Sequence, residues 1–211
     1  MQTKITKPQR ILIIAISALV AAFALNFIIG SLGKSNEPAI RHLSTPIAGR
    51  DKTVTAFFWY KCPHCLQANS SLTSWAKALP SSLTFERVPV AFDDMGANQQ
   101  RMYYALLDMG KIDALHEQIF QSAQNNTLKF ETQVEIAEWV SVRGIDRKEF
   151  EIAFDSGRVT NHLLEARRLE EAYNVKLVPA LGLLGKSLLN PVPGVDMLRN
   201  ADSELKALSI P

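Results

Sequence analysis

Only two cysteines occur in the 211 residues, Cys62 and Cys65, with Pro63 and His64 between them. Whatever chemistry they carry, they carry with each other or with a visiting group. A C-x-x-C pair suits half of a metal site, a structural bridge, or a disulfide that opens and closes. A closed zinc site needs four ligands. No second C-x-x-C and no H-x-x-x-H spacing exists, and His42, His64, His116 and His162 are scattered singly, so no metal set is read. Haem attachment would need histidine directly after the second cysteine, where Leu66 stands. A bridge between residues three apart closes so short a loop that it would constrain little of the unfolded chain.

The redox reading explains more of the local sequence. FFWY ahead of the pair reads as a strand end, and Pro63 suits the first position of a helix because its missing N–H would have no partner there. Cys62 then sits at the helix amino terminus, where free N–H groups and the helix dipole favour a thiolate. Cys62 is expected to be the exposed nucleophile and a good leaving group. Cys65, one turn in, points less outward and is the expected resolving thiol. His64, between the sulfurs, is assigned a further preference for the Cys62 thiolate. Stabilising the reduced form makes the disulfide form oxidising. A substrate thiolate would attack Cys62 and displace Cys65, and a second substrate thiol would then release Cys62. Val178 and Pro179 form the second feature, opening a strand late in the chain. Proline at a strand start has a plain structural explanation. Beside C-P-H-C, a cis bond there would keep the backbone open to an extended peptide that pairs with Val178.

The elements that must position these residues emerge from pattern. After an extended segment near Ile40 to Ile47 and a turn at Ala48 to Lys52, Thr53 to Tyr60 has the β-branched and aromatic content of a strand buried on both faces. A helix is predicted from Pro63 to about Leu79, with Ala68, Leu72, Trp75, Ala76 and Leu79 on one face and Pro80 as its stop. Leu83 to Phe92 reads as a second strand whose end Pro89 marks. Strand, helix, strand predicts a parallel pair. From residue 96 to 174 only helices are predicted. Gly110, Gly144 and Gly157 are read as helix ends, and Asp146 with Glu149 has capping-box spacing. Strand signals return at Ala180 to Leu184 and Ser187 to Leu189, before a last helix near Leu198 to Leu208. The chain divides into a sheet domain of 40–95 and 175–211 and a helical insertion of 96–174.

Ahead of these lie a basic start of 1–10, a run of 20 uncharged, mostly apolar residues from Ile11 to Gly30, and a polar linker of 31–39. Such a run matches the span of a bilayer core. Lys4, Lys7 and Arg10 before it predict a cytoplasmic amino end. The alternative is a cleaved secretory signal, with Ala22-Phe23-Ala24 as the cleavage region. Both deliver the cysteines to a compartment where disulfides persist. Of 23 basic residues those three lead the chain, leaving 20 against 21 acidic, so nothing favours nucleic acid as a partner.

Taken together, TPIAG before the first central strand, FFWYKCPHC, HEQIF in the helical stretch and VPA at 178–180 resemble the DsbA-like family of bacterial periplasmic disulfide oxidases, within the thioredoxin superfamily. The resemblance covers about Arg41 to Leu208. It implies an α/β, thioredoxin-like fold with an inserted helical domain; the N-terminal transmembrane helix or signal segment ahead of it is read from the Ile11 to Gly30 run, and an anchor is not the family's usual form. It further implies a cis bond at Pro179, no bound cofactor beyond the redox-active disulfide, and reoxidation by a quinone-linked, DsbB-like membrane oxidase. Two positions depart from the family pattern. Ala56 stands six residues before Cys62, where relatives often carry a buried acid, and Asn69 replaces an acid often found early in the active-site helix. The expectation is a monomeric, membrane-anchored periplasmic oxidase of exported proteins, soluble if the leader is cleaved. A reductase or isomerase working from the dithiol, or a non-catalytic thiol-dependent chaperone, are the competing readings.

Overall fold

The structure, a computed structural model, describes residues 39–208. The basic start, the Ile11–Gly30 run and residues 31–38 of the linker lie outside the described residues. Among the described residues no helix is long and apolar enough to cross a membrane.

Among the described residues five strands form one sheet: β1 (Ile40–His42), β2 (Thr53–Phe58), β3 (Thr84–Pro89), β4 (Ala180–Leu183) and β5 (Ser187–Leu189), in the order β1-β5-β4-β2-β3. β2 runs parallel to β3, with Ala56 opposite Arg87, and antiparallel to β4, with Ala56 opposite Leu181. It is the strand that continues into the cysteines. Period-two alternation sends Val54 and Ala56 into an apolar cluster with Leu72, Leu181, Leu183 and Leu205, while Phe57 joins the larger cluster on the opposite face. A strand buried on both sides has little freedom to slip register, so it is a firm base for the turn and helix beyond it.

Helix α1 (Pro63–Lys77) connects β2 to β3. Five helices then lie between β3 and β4: α2 (Asp94–Asp108), α3 (Ile112–Gln124), α4 (Gln133–Ser141), α5 (Arg147–Phe154) and α6 (Gly157–Ala172). The last helix, α7 (Met197–Leu208), returns to the sheet, and Trp75 Nε1 of α1 donates to Asp202 Oδ1 of α7 at 2.7 Å. Asp93, Thr132, Asp146 and Ser156 each cap a helix by accepting a main-chain N–H.

Several boundaries differ from expectation, each for a local reason. β2 ends at Phe58, not Tyr60, because the residues that follow close a turn in which Cys62 N–H bonds to Trp59 O; Val90 N–H on Phe58 O is the last bond from the β3 side. Gly110 and Gly144 end helices with positive φ, the conformation glycine adopts without penalty. Gly157 instead begins α6, because the Ser156 side chain accepts from Val159 N–H and sets the helix start there. Of the extended segment 40–47 only three residues join the ladder; Leu43 and Ile47 make single bonds to Lys186 O and Gly185 O. The buried stripe of α1 is Cys65, Asn69 and Leu72, whereas Ala68 and Trp75 are only half-buried.

Candidate active site

Cys62 is the N-cap of α1, with extended backbone (φ −85°, ψ 114°), and Pro63 occupies the first turn. The Cys62 carbonyl accepts the N–H groups of Cys65 and Leu66 at 3.1 and 3.2 Å. Its sulfur accepts the Cys65 N–H at 3.4 Å. A side-chain acceptor at an N-cap is what this helix end requires, and here the acceptor is sulfur. Both cysteines are free thiols.

The two sulfurs have opposite environments. The Cys65 thiol, donating to Cys62, does most to lower the Cys62 pKa, to about 6. The main-chain N–H groups of Cys65 and His64 add to this, the His64 charge contributes last, and burial opposes. Cys65 is pushed far upward, first because it shares its proton with Cys62 and then because it is buried. The pair therefore divides into a thiolate at Cys62 and a retained proton at Cys65.

The structure gathers most of the expected residues, with one difference in exposure. Cys62 is more sheltered than expected, 8% exposed against 3% for Cys65, and the Val178 main chain lies beside it. The Cys62 thiol lies 3.6 Å from the Val178 carbonyl oxygen, and the Val178–Pro179 peptide bond is cis. Cys62, Cys65, Val178 and Pro179 thus meet in one place. His64 is brought beside the sulfur mainly by its N–H, and its side chain is exposed to solvent.

Ala56 is fully buried in the apolar cluster with Leu72 and Leu181, and its methyl offers no proton-handling group where relatives often carry an acid. Asn69 is buried one turn beyond Cys65, and its Nδ2 donates to Glu117 Oε2 of α3 at 2.6 Å. Thr73 Oγ1 donates to the Asn69 carbonyl at 2.7 Å and accepts from Arg87 Nη2 at 2.8 Å. These groups line a cleft of about 730 Å³ between α1 and α3 that also reaches His116 and Asp113. Trp59, three residues before Cys62, meets the exposed ring of Phe92 edge-on at 6.1 Å.

Sequence marks Tyr60 only as the end of a strand. In the structure it is wholly buried, and its N–H, carbonyl and hydroxyl are bonded by Gln99, Gln124 and His116. Those partners are 39, 64 and 56 residues away, so nothing local announces them.

Comparison with known proteins agrees with this geometry. A family model described as the DSBA-like thioredoxin domain matches residues 53–206. The thiol:disulfide interchange protein DsbA of Azotobacter vinelandii is 34% identical over 142 residues, 67% of this chain and 66% of that protein. That of Bordetella pertussis is 31% identical over 139 residues, 66% of each. The chain thus spans just under two thirds of the length of these curated relatives. Among solved structures, that of Pseudomonas aeruginosa DsbA superposes with a TM-score of 0.74 at 26% identity, covering 80% of this chain and 91% of that one. DsbA3 of Neisseria meningitidis gives 0.68 at 25% identity, covering 80% and 93%.

Proposed function

The chain belongs to the DSBA-like thioredoxin domain family, and from that membership together with the asymmetry of its two sulfurs we propose that it is a thiol:disulfide oxidoreductase working as an oxidant of exported proteins. The observation that carries the direction is the seat of Cys62. Its sulfur takes hydrogen bonds from the Cys65 thiol and two N–H groups, all of which favour the thiolate and hence the reduced enzyme. A couple whose reduced form is stabilised gives up its disulfide readily.

In the oxidised enzyme Cys62 and Cys65 share a disulfide. A substrate thiolate attacks Cys62 Sγ, the S–S bond breaks, and Cys65 departs and takes up a proton. Cys65 is the sulfur whose surroundings hold a proton most firmly, so it is the natural acceptor. The product is a mixed disulfide between substrate and Cys62. A second substrate thiolate then attacks the substrate sulfur, and Cys62 departs as a thiolate. The substrate has lost two electrons and gained a disulfide; the enzyme holds one thiolate and one thiol. The Val178 main chain, whose carbonyl faces Cys62, is the place where an extended substrate segment lies during both exchanges.

The cycle needs no metal or bound cofactor on this chain. Reoxidation falls to a quinone-linked, DsbB-like membrane oxidase, which removes the two electrons. The domain works in the periplasm, held by Ile11–Gly30 as a membrane anchor, or released as a soluble protein where that segment is cleaved. What supports this placement is the basic start ahead of 20 uncharged residues.

The deciding assay mixes the oxidised chain with a reduced, unfolded protein that requires disulfides. One substrate disulfide formed per enzyme disulfide consumed supports the proposal. Failure to transfer sinks it and leaves the thiol-dependent chaperone reading.

A further inference from the structure

Beyond Phe58 the chain leaves the sheet, and residues 59–62 reach α1 outside the strand ladder. Main-chain polar groups in such a buried link must find partners elsewhere. Cys62 N–H closes a turn onto Trp59 O at 3.0 Å, and Tyr60 is the second residue of that turn. Tyr60 N–H donates to Gln99 Oε1 of α2 at 2.8 Å, and its carbonyl accepts from Gln124 Nε2 at the end of α3 at 2.9 Å. Its hydroxyl lies 2.8 Å from His116 Nδ1, also of α3. Burial raises the phenol well above its usual pKa and lowers His116 to about 3, so both stay neutral, and the imidazole tautomer sets which of the two donates. Phe120 and Phe130 enclose the ring, with centroids 4.7 and 6.1 Å away.

The N–H, carbonyl and hydroxyl of Tyr60 are therefore each held by a side chain from α2 or α3. We propose that the helices between β3 and β4 position the reactive sulfur: Gln99, His116 and Gln124 fix Tyr60, and Tyr60 fixes the turn that seats Cys62 at the amino end of α1. These are positioning residues acting through the turn. Remove Gln124 and the Tyr60 carbonyl is left buried without that partner, so the turn must shift to satisfy it. Cys62 then moves relative to the N–H groups of His64 and Cys65, whose bonds are short-range and directional. The inference rests on Cys62 being the reacting sulfur, as proposed above, and not on the direction of exchange.

The test titrates the thiolate absorbance of the reduced full chain with Gln99→Ala, Gln124→Ala and Tyr60→Phe, alongside its equilibrium with glutathione. Ile136→Val in α4 is the control for mere destabilisation of the helical region. Both glutamine variants are expected to move the Cys62 titration upward by about one unit, cutting the thiolate fraction at pH 6 roughly fivefold, and to make the disulfide several-fold less oxidising. Ile136→Val should move neither. Folded glutamine variants that titrate and equilibrate like the parent overturn the proposal. If both fail to fold, Tyr60→Phe decides, since it keeps the ring and both main-chain bonds: an unchanged titration overturns the proposal, and a smaller upward shift supports it. A parent chain that shows the low titration but transfers no disulfide would refute the oxidant reading, while the same variants would still decide the positioning role.

Discussion

The main-chain N–H of Cys65 points at the sulfur of Cys62 from 3.4 Å, so the second cysteine supplies the first with a donor from its backbone as well as from its thiol. Both donors act only while Cys62 caps α1. The reactivity of one sulfur is thus a property of a helix start.

The reduced chain should show a thiolate titration centred near pH 6, with no second thiol titrating in the neutral range, because Cys65 is held protonated. A thiol whose folded pKa lies below its unfolded value adds stability that is complete above the unfolded pKa, about 8.5. That stability is lost as pH falls through the folded value. Denaturant midpoints should therefore show the reduced form gaining on the oxidised form between pH 6 and about 8.5, by at most about 3 kcal/mol. Parallel curves would contradict the thiolate assignment.

Replacing Cys65 by serine should trap substrate on the enzyme. Cys62 keeps its place at the helix start and can still enter a mixed disulfide, but no neighbouring thiol remains to release it. Non-reducing gels should show a Cys65→Ser adduct with a substrate protein preactivated as a mixed disulfide, and none for Cys62→Ser. Equal trapping by both variants would overturn the division of roles.

His64→Ala should raise the Cys62 titration by less than a full unit and make the disulfide slightly less oxidising. The main-chain N–H of residue 64 survives the change, and the imidazole charge is the last of the favourable contributions. No shift at all in the thiolate absorbance would remove the side chain from the mechanism.

Asn69→Asp should destabilise the chain by about 2–4 kcal/mol, since it sets a buried carboxylate against the Glu117 oxygen that Asn69 now donates to. Adding Glu117→Gln should recover much of the loss by restoring a donor. Urea unfolding of the two single variants and the double variant checks this, and additive effects would show that the residues do not communicate.

Gly182→Ala should cost about 1–3 kcal/mol from overpacking. A methyl there would come within 2.5 Å of the Tyr173 ring, which rests on the glycine and takes Gly185 N–H on its hydroxyl. A melting curve matching the parent would show that the ring has room to move.

Much of this architecture is written locally. The β-branched run before the cysteines, Pro63 after Cys62, and Pro89 near the close of the next strand are short-range signals, and the parallel pair is a consequence of them. Ser156 and Gly157 show how adjacent signals compete. Glycine suggests a helix end, but the serine beside it caps the next helix and prevails. Cys62 can be placed at the helix start from sequence, while the Val178 main chain beside it belongs to a segment 116 residues away. Asn69 is noticeable only as an absence of acid; its bond to Glu117 needs α3 to be docked. Tyr60 is the extreme case, an aromatic in an aromatic run whose three bonds are all long-range.

The proposed role of this disulfide as a donor is tested most directly by the reduction potential of the Cys62–Cys65 couple, measured on the 211-residue chain against glutathione. The expected value lies above about −180 mV, toward the roughly −120 mV of DsbA. A value near the roughly −270 mV of thioredoxin would contradict the claim and make the dithiol the working form.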